Sequence, residues 1–512
     1  MNDISPSAPN TNNTDPDTRP HAVVIGSGFG GLGAAVRLGV RGYRVTVLER
    51  LDAPGGRAYV HHRDGYTFDA GPTIVTAPFL FEELWALCGK KLSDYVELKA
   101  MDPFYKLRFD DGREFSYNGD PDDMRREVAK FNPGDVDGFD RFQKVSAKIY
   151  QVAFHELAAV PFHSLMFTLK SAPDLIKLGG YRTVYNTVCD YFKDPALRVV
   201  FSFHPLLIGG NPLTTTAYYC LIAHLERKYG VHYAMGGMGA LVDGLVDLIA
   251  GTGGQIRYDA EVAKITSANG RATGVTLLNG EELAADVVVS NADASWTYKH
   301  LMGDHKPKRW SPAKVDNKRF SMGLFVWYFG TDKRFEDVYH HMILLGPRYE
   351  GLLKDIFKHK KLSADFSLYL HRPTASDPAL APEGHDSFYV LSPVPHLGGG
   401  VDWDAEGERY RQAIQDRLEE TVMPGLGDAL TTSFFTTPKE FESRLLSVNG
   451  AAFALEPQLF QSAWFRPHNK SEELENLFLV GAGTHPGAGV PGVLSSAKIL
   501  DDIAPDPAHF KK

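Results

Sequence analysis

The chain has 512 residues, 43% of them hydrophobic and 23% charged, with a formal net charge of −9. This length and apolar share suit a globular protein with a large core, and two interleaved domains are expected. The acidic balance gives no basic field for nucleic acid. The cysteines, Cys88, Cys189 and Cys220, are scattered with no CxxC spacing. That argues against a disulfide framework or a cysteine-based zinc site and fits a reducing cytoplasm.

Residues 1–20 are rich in Asn, Asp, Thr, Pro and Ser and lack a basic segment followed by an apolar one. They read as a disordered tail rather than a signal peptide. Ala22–Ile25 is a β-branched apolar run, Leu32–Leu38 a small-residue helix and Arg44–Leu48 a second strand, together a βαβ opening. Phe81–Cys88 reads as helical, and Tyr105–Phe109 and Glu114–Tyr117 flank Asp110-Asp111-Gly112, a hairpin signal. Residues 120–230 are largely helical in pattern. Within them Leu157–Leu169 is the most apolar helical stretch, too short to span a bilayer and interrupted by Pro161 and His163. A helix is expected over Ala240–Ala250, followed by short strands at Gln255–Tyr258, Gly274–Leu278 and Asp286–Ser290. Aromatic-rich strands follow at Gly323–Phe329 and Phe388–Leu391, then a helix over Arg409–Thr421.

Two glycine-rich turns stand almost a whole chain apart. After the first strand, Gly26, Gly28 and Gly31 fit G-x-G-x-x-G. The first glycine permits the tight turn, the second lets backbone approach a pyrophosphate, and the third lets helix lie close to strand. The phosphates then meet amides at a helix N-terminus. Glu49 ends the next strand, at the spacing of a carboxylate that accepts from a ribose hydroxyl. The bare glycine pattern can be an ordinary tight turn, and Glu49 a surface charge, but their joint context favours the dinucleotide reading. In Arg50-Leu-Asp-Ala-Pro-Gly55-Gly56-Arg57, Gly56 allows a second close approach of backbone, and Arg57 offers a charged fork to phosphate. The alternative there is a Pro-Gly turn with a solvated arginine. At the other end, Leu477-Phe-Leu-Val-Gly481-Ala-Gly483 repeats the strand-and-turn pattern, running on to Pro491-Gly492. A cofactor long enough to need two clamps explains the pair, and FAD is such a molecule.

The N-terminal pattern resembles the flavin amine oxidase and phytoene desaturase superfamily, and within it the bacterial and fungal type phytoene desaturases (carotene desaturases). The resemblance is carried by Phe68-Asp69-Ala-Gly71-Pro72-Thr73, Phe201-Ser-Phe-His204-Pro running to Pro212, Asp365–Pro373, Tyr389–His396, Gln461–Asn469 and Gly481–Gly492. It implies an α/β fold: a Rossmann-like FAD-binding domain interleaved with a mixed α+β substrate domain, in an amine-oxidase-like architecture. The FAD-binding domain is expected from residues 21–80, 231–300 and 455–505, and the substrate and membrane-associating domain from 81–230 and 301–454. The resemblance places Gly26, Gly28, Gly30 and Gly31 at the pyrophosphate, and Glu49 at the adenosine ribose. Arg50, Gly56 and Arg57 come beside the phosphates, and Gly71, Pro72 and Thr73 near the flavin ring. Val262 falls at adenine, and Gly483 and Val493 near the ribityl chain and ring edge. Many amine oxidases have Gly-Glu where this chain has Gly483-Thr484, which weakens an amine oxidase reading.

The implied substrate is phytoene, a long polyene with no charge, hydroxyl or acidic proton. Its recognition must come from apolar area in a long tunnel. The implied reaction is stepwise desaturation toward neurosporene or lycopene, by hydride loss from an allylic carbon to flavin followed by proton loss. No catalytic dyad is evident. His204 is the most tempting polar residue, but a satisfied core histidine is the preferred reading. Oxygen or a quinone is the implied electron acceptor. The substrate's home in bilayers implies a cytoplasmic, peripherally associated protein, with Val160–Leu169, flanked by Lys170 and Lys177, as the dock, or alternatively as an interior helix. The competing readings are another flavoenzyme of the superfamily acting on a later carotenoid, a porphyrinogen or an amine, and a non-catalytic isoprenoid carrier.

Overall fold

The first β-branched run forms strand β1 (His21–Ile25), which lies at the centre of a five-stranded parallel sheet. It pairs with β2 (Arg44–Leu48) on one side, and β2 with β3 (Gln255–Arg257). On the other side it pairs with β4 (Val287–Ser290), which pairs with β5 (Leu477–Leu479). The computed structural model describes residues 18–510, so the expected disordered tail lies almost wholly outside the described residues.

Every residue of β1 is buried because both faces of the sheet are covered. Ala22 and Val24 point to one cluster, built with the helices, and Val23 and Ile25 to the other, built on the antiparallel sheet of Val262–Ala268, Arg271–Leu277 and Glu282–Ala284. Burying each valine or isoleucine contributes about 1.5–3 kcal/mol as an upper estimate. Helix α1 (Phe29–Val40) packs between α2 (Gly237–Gly251) and α3 (Val490–Lys498). Small residues permit the close approach: a Cβ at Gly33 would sit 3.3 Å from that of Ala497.

A second, seven-stranded sheet has the order Leu430–Thr436, Gly323–Thr331, Asp386–Val394, Leu368–His371, His341–Leu344, Tyr105–Arg108, Glu114–Tyr117. Its pairs are antiparallel except for His341–Leu344 with Tyr105–Arg108. The expected hairpin at Asp110–Gly112 forms, with Gly112 at φ +86°. Gly323–Thr331 reads as a continuous apolar run because both its faces are buried. Phe325, Trp327 and Phe329 pack with residues of the helix Trp403–Thr421, while Leu324, Val326 and Tyr328 face the cluster containing Tyr66 and Phe68. The five-stranded sheet thus takes strands from residues 21–48, 255–290 and 477–479, and the seven-stranded sheet from 105–117 and 323–436.

Some boundaries differ from the sequence reading. The helix expected from Arg409 begins at Trp403, because the Asp402 carboxylate accepts from the amides of Asp404 and Ala405 and caps it there. The apolar stretch Leu157–Leu169 is not one helix. A π-helical segment ends at Glu156, an irregular stretch containing Pro161 follows, and a new helix runs over Leu165–Lys177. Pro161 has no amide hydrogen to donate and disfavours helix in the residue before it.

Candidate cofactor and substrate cavity

A single cavity of about 700 Å³ runs from the glycine turns of β1 and β5 into the space between the two sheets and the segment 150–225. The two turns touch. A Cβ on Gly30 would lie 3.0 Å from Gly481 Cα and 2.6 Å from Asn291 Oδ1. The second glycine segment closes on the first: the Gly55 amide donates to Ser27 O at 3.0 Å, and a Cβ on Gly56 would come within 3.3 Å of Gly28 Cα. Three stretches of backbone, from residues 26–30, 55–57 and 481–493, therefore border one volume.

Gly26, Gly28 and Gly30 line it, at the N-terminus of α1, whose first turn has no side-chain cap. Its amides and dipole are left to a ligand, and they favour an anion. Gly31 instead packs α1 onto β1, where a Cβ would meet Gly26 O at 2.0 Å. Glu49 is buried at the end of β2. Its Oε2 accepts from the Ser27 amide at 2.8 Å and hydroxyl at 2.6 Å, and its Oε1 from the Leu51 amide at 2.9 Å. A carboxylate has about four acceptor sites, so it retains capacity for a ribose hydroxyl.

The arginines are more committed than the sequence reading allowed. Arg50 pairs with Glu261 at 3.1 Å and donates to the carbonyls of Ser443 and Arg444. Arg57 donates to Ala452 O at 2.7 Å and Ser447 Oγ at 2.9 Å, while bordering the cavity. Burial lowers the Arg57 pKa, and Asp293 partly opposes this. Gly71 lies against Arg57, since a Cβ there would be 2.4 Å from Arg57 O. Three tyrosines of the large sheet hold the segment around it: Tyr328 donates to Ala70 O at 2.8 Å, Tyr389 to Gly71 O at 3.0 Å, and the Tyr369 hydroxyl meets Thr73 Oγ1 at 2.7 Å. Pro72 and Thr73 line the cavity, as do Val262 and Val493. Gly483 does not. It packs behind the wall, where a Cβ would be 2.8 Å from Ala294 N, and its neighbours Gly481 and Ala482 reach the cavity instead.

Sequence reasoning missed Asn291 and Asp293. Asn291 is wedged between the two glycine turns, and Asp293 lines the cavity with Oδ2 buried and lacking a hydrogen-bond partner. Burial raises the Asp293 pKa, opposed mainly by Arg57. A signal existed: both residues follow the carboxyl end of β4, where parallel sheets bind ligands. Asp69 lies within the Phe68–Thr73 motif, with no role that its sequence position alone assigns. Its carboxylate accepts from the Met238 amide at 3.0 and 3.1 Å at the start of α2, and burial pushes its pKa up to about 7. The folded pKa lies above the unfolded value, so this carboxylate costs stability increasingly from pH 4 to 7, and fully above that. Asp69→Asn keeps an acceptor for the amide without the charge. The variant is expected to gain stability over the wild type at pH 8 and not at pH 4, as read from thermal melting at the two pH values.

His204 is a core histidine as expected, but its Nε2 makes no hydrogen bond, so it is not the fully satisfied one. It is buried, stacks on Phe203 with centroids 4.2 Å apart, and has Nε2 3.2 Å from Glu226 Oε2. Glu226 also accepts from the Tyr105 hydroxyl at 2.8 Å. His204→Ala empties the space its buried ring fills against Phe203 and Tyr117 and is expected to cost about 2–3 kcal/mol. Denaturant unfolding should show this loss, and the protein that still folds should keep the wild-type kcat.

Beyond the glycine turns the cavity wall is largely apolar, with Phe162, Leu207, Ile208, Tyr218 and Leu225 among its residues. Around the turns, its charged groups are Glu49, Arg50, Arg57, Glu261, Asp293, Glu440 and Arg444, and among the described residues of the 150–226 region the wall adds only Glu226.

Comparisons with known proteins agree with this geometry. Residues 29–499 match the family of flavin-containing amine oxidoreductases. The chain is 49% identical over 496 residues to the neurosporene-forming phytoene desaturase of Cereibacter sphaeroides, covering 96% of each chain. It is also 49% identical over 490 residues to the lycopene-forming phytoene desaturase of a Paracoccus species, covering 94% of this chain and 98% of that one. Among solved structures, the fold is similar to putrescine oxidase bound to putrescine (TM-score 0.64, 14% identity, 96% of this chain and 100% of that one). Cyclohexylamine oxidase from Brevibacterium oxydans is also similar (TM-score 0.60, 14% identity, 96% of this chain and 100% of that one). The glycine cradle, Glu49 and the open Oδ2 of Asp293, whose Oδ1 accepts from the Ser295 amide, fit FAD, the cofactor of this fold. With the family match and the curated relatives, they establish that the chain belongs to the flavin-containing amine oxidoreductases and, among these, to the bacterial phytoene desaturases.

Proposed function

We propose that this chain desaturates phytoene in successive FAD-dependent steps, giving neurosporene or lycopene, with oxygen or a quinone as the final electron acceptor. The observation that carries this reading is the continuity of the cavity, from dinucleotide-binding turns at one end into an apolar tunnel at the other. Bound FAD supplies the hydride acceptor. Gly26, Gly28 and Gly30 would hold its pyrophosphate at the helix terminus, Glu49 would accept from its ribose, and the Ala70–Thr73 segment, fixed by Tyr328, Tyr369 and Tyr389, would border its ring. The rest of the wall orients a substrate that has no polar handle, through apolar contact alone, and keeps water from it. We also propose the division into an FAD-binding part (residues 21–80, 231–300 and 455–505) and a substrate part (81–230 and 301–454). The test is pigment chromatography of cells that make phytoene and express the chain. Coloured carotenes support the reading, and unchanged phytoene overturns it.

The substrate partitions into bilayers, and we propose peripheral docking to reach it. No helix among the described residues is long and apolar enough to cross a membrane. Exposed apolar side chains mark two segments: Met166 (75% exposed), Ile176 (60%) and Tyr181 (69%) on and after the Leu165–Lys177 helix, and Phe460 (70%) and Phe465 (40%), whose rings touch, on a separate loop. Ile176 and Phe465 also line the cavity, so both segments and the tunnel share a rim. A Met166→Asp and Ile176→Asp double variant is expected to lose at least tenfold in liposome co-sedimentation while keeping bound FAD. Unchanged sedimentation overturns this dock.

A further inference from the structure

We propose that His340, His341 and His371 form a binding site for a divalent transition-metal ion of the zinc type, beside the cofactor cavity. His341 and His371 are cross-strand partners in the large sheet, and His340 immediately precedes the first of these strands. One nitrogen of each imidazole lies within 4.8 Å of those of the other two. Each Nδ1 already has a partner: Ser376 Oγ at 2.8 Å for His340, the Tyr369 hydroxyl at 2.7 Å for His341, and the His340 carbonyl at 3.3 Å for His371. A carbonyl only accepts, so His371 Nδ1 carries the proton and its Nε2 presents a lone pair. All three Nε2 atoms are buried and none has a hydrogen-bond partner.

Three buried nitrogens without partners are costly unless something occupies the space between them. They do not satisfy one another readily. The His341 and His371 rings are 11° from parallel with centroids 5.1 Å apart, so both must turn for their in-plane lone pairs to converge on one ion. Nδ1 held by a hydrogen bond and Nε2 left open is the arrangement that orients histidine as a metal ligand. Zinc bound at about 2.0–2.1 Å from each nitrogen needs them about 3.4 Å apart, so the rings must draw together on loading. With three neutral ligands and the cations Lys99 and Arg372 nearby, the fourth position goes to water or hydroxide. Arg372 is itself neutralised by Asp386 at 2.9 Å and Glu336 at 3.0 Å. The ion would join two strands and, through the His341–Tyr369–Thr73 hydrogen bonds, stiffen the cavity wall.

The test uses tag-free, FAD-loaded protein, dialysed against chelator, then given zinc chloride and passed through gel filtration. About one zinc per chain, three imidazole nitrogens in its X-ray absorption spectrum and a raised melting temperature are expected. Zinc affinity should fall at least tenfold in His340→Ala and in His371→Gln. His340→Ala leaves the His341–Tyr369–Thr73 bonds in place. Wild-type protein that retains no zinc and shows no thermal shift overturns the proposal, as does equal retention by both variants.

Discussion

Gly30→Val is expected to yield protein without bound flavin and without activity. Any side chain at this position drives into Asn291 Oδ1 at 2.6 Å and the Gly481 backbone at 3.0 Å. Neither neighbour can withdraw. The Asn291 backbone amide is tied to Ile25 O at 2.8 Å and its side-chain Nδ2 donates to Gly26 O at 3.4 Å, while the Gly481 amide donates to Ser496 Oγ at 2.8 Å. Relief requires the two glycine turns to part, and the cofactor spans both. A steric penalty of about 3 kcal/mol or more corresponds to at least a hundredfold loss of affinity. The measurement is flavin absorbance per mole of protein after gel filtration, with circular dichroism to check folding. Normal flavin content in a folded variant would show that the junction of the turns does not hold the cofactor.

Asp386→Ala is the second large effect expected, acting on stability first and on the site through it. Asp386 has no exposed surface and stands at the start of a central strand of the large sheet. It accepts from Arg372 Nε at 2.9 Å, Thr374 Oγ1 at 2.7 Å and the Phe335 amide at 2.8 Å. Removing it leaves the Arg372 guanidinium buried with only the largely exposed Glu336 as a carboxylate partner. Breaking a buried pair in this way costs about 3–5 kcal/mol. The same strand carries Tyr389, which holds the Gly71 carbonyl, so flavin retention should fall along with the denaturation midpoint. Unaltered denaturation would show that the pair is not structural. Asp386→Asn, which keeps two of the acceptor contacts, should lie between the variant and the wild type.

The α/β opening was legible because its signals are local: a β-branched run, glycines at fixed offsets and a carboxylate at the next strand end. The hairpin at Asp110–Gly112 was legible for the same reason. What long-range packing decides was not legible. Asn291 and Asp293 belong to the site only because β4 lies beside β1, a pairing 265 residues apart in sequence. Arg57 has the right charge for phosphate, yet Ala452 and Ser447 engage its guanidinium, and nothing near it in the sequence announces them. Gly483 fits the repeat of strand and turn, but the path of the chain after β5 turns it toward Ala294. The three histidines lie on two strands whose pairing brings them together, so no local spacing marks them.

The position of β5 at the edge of the parallel sheet has a consequence for biosynthesis. A nascent polypeptide that has emerged only as far as β4 lacks the last strand, the Gly481 turn and α3, and with them one wall of the cofactor slot. Flavin capture must therefore await nearly complete translation. Until then the greasy interior faces solvent, and the half-made enzyme depends on chaperones or on rapid closure to avoid clumping.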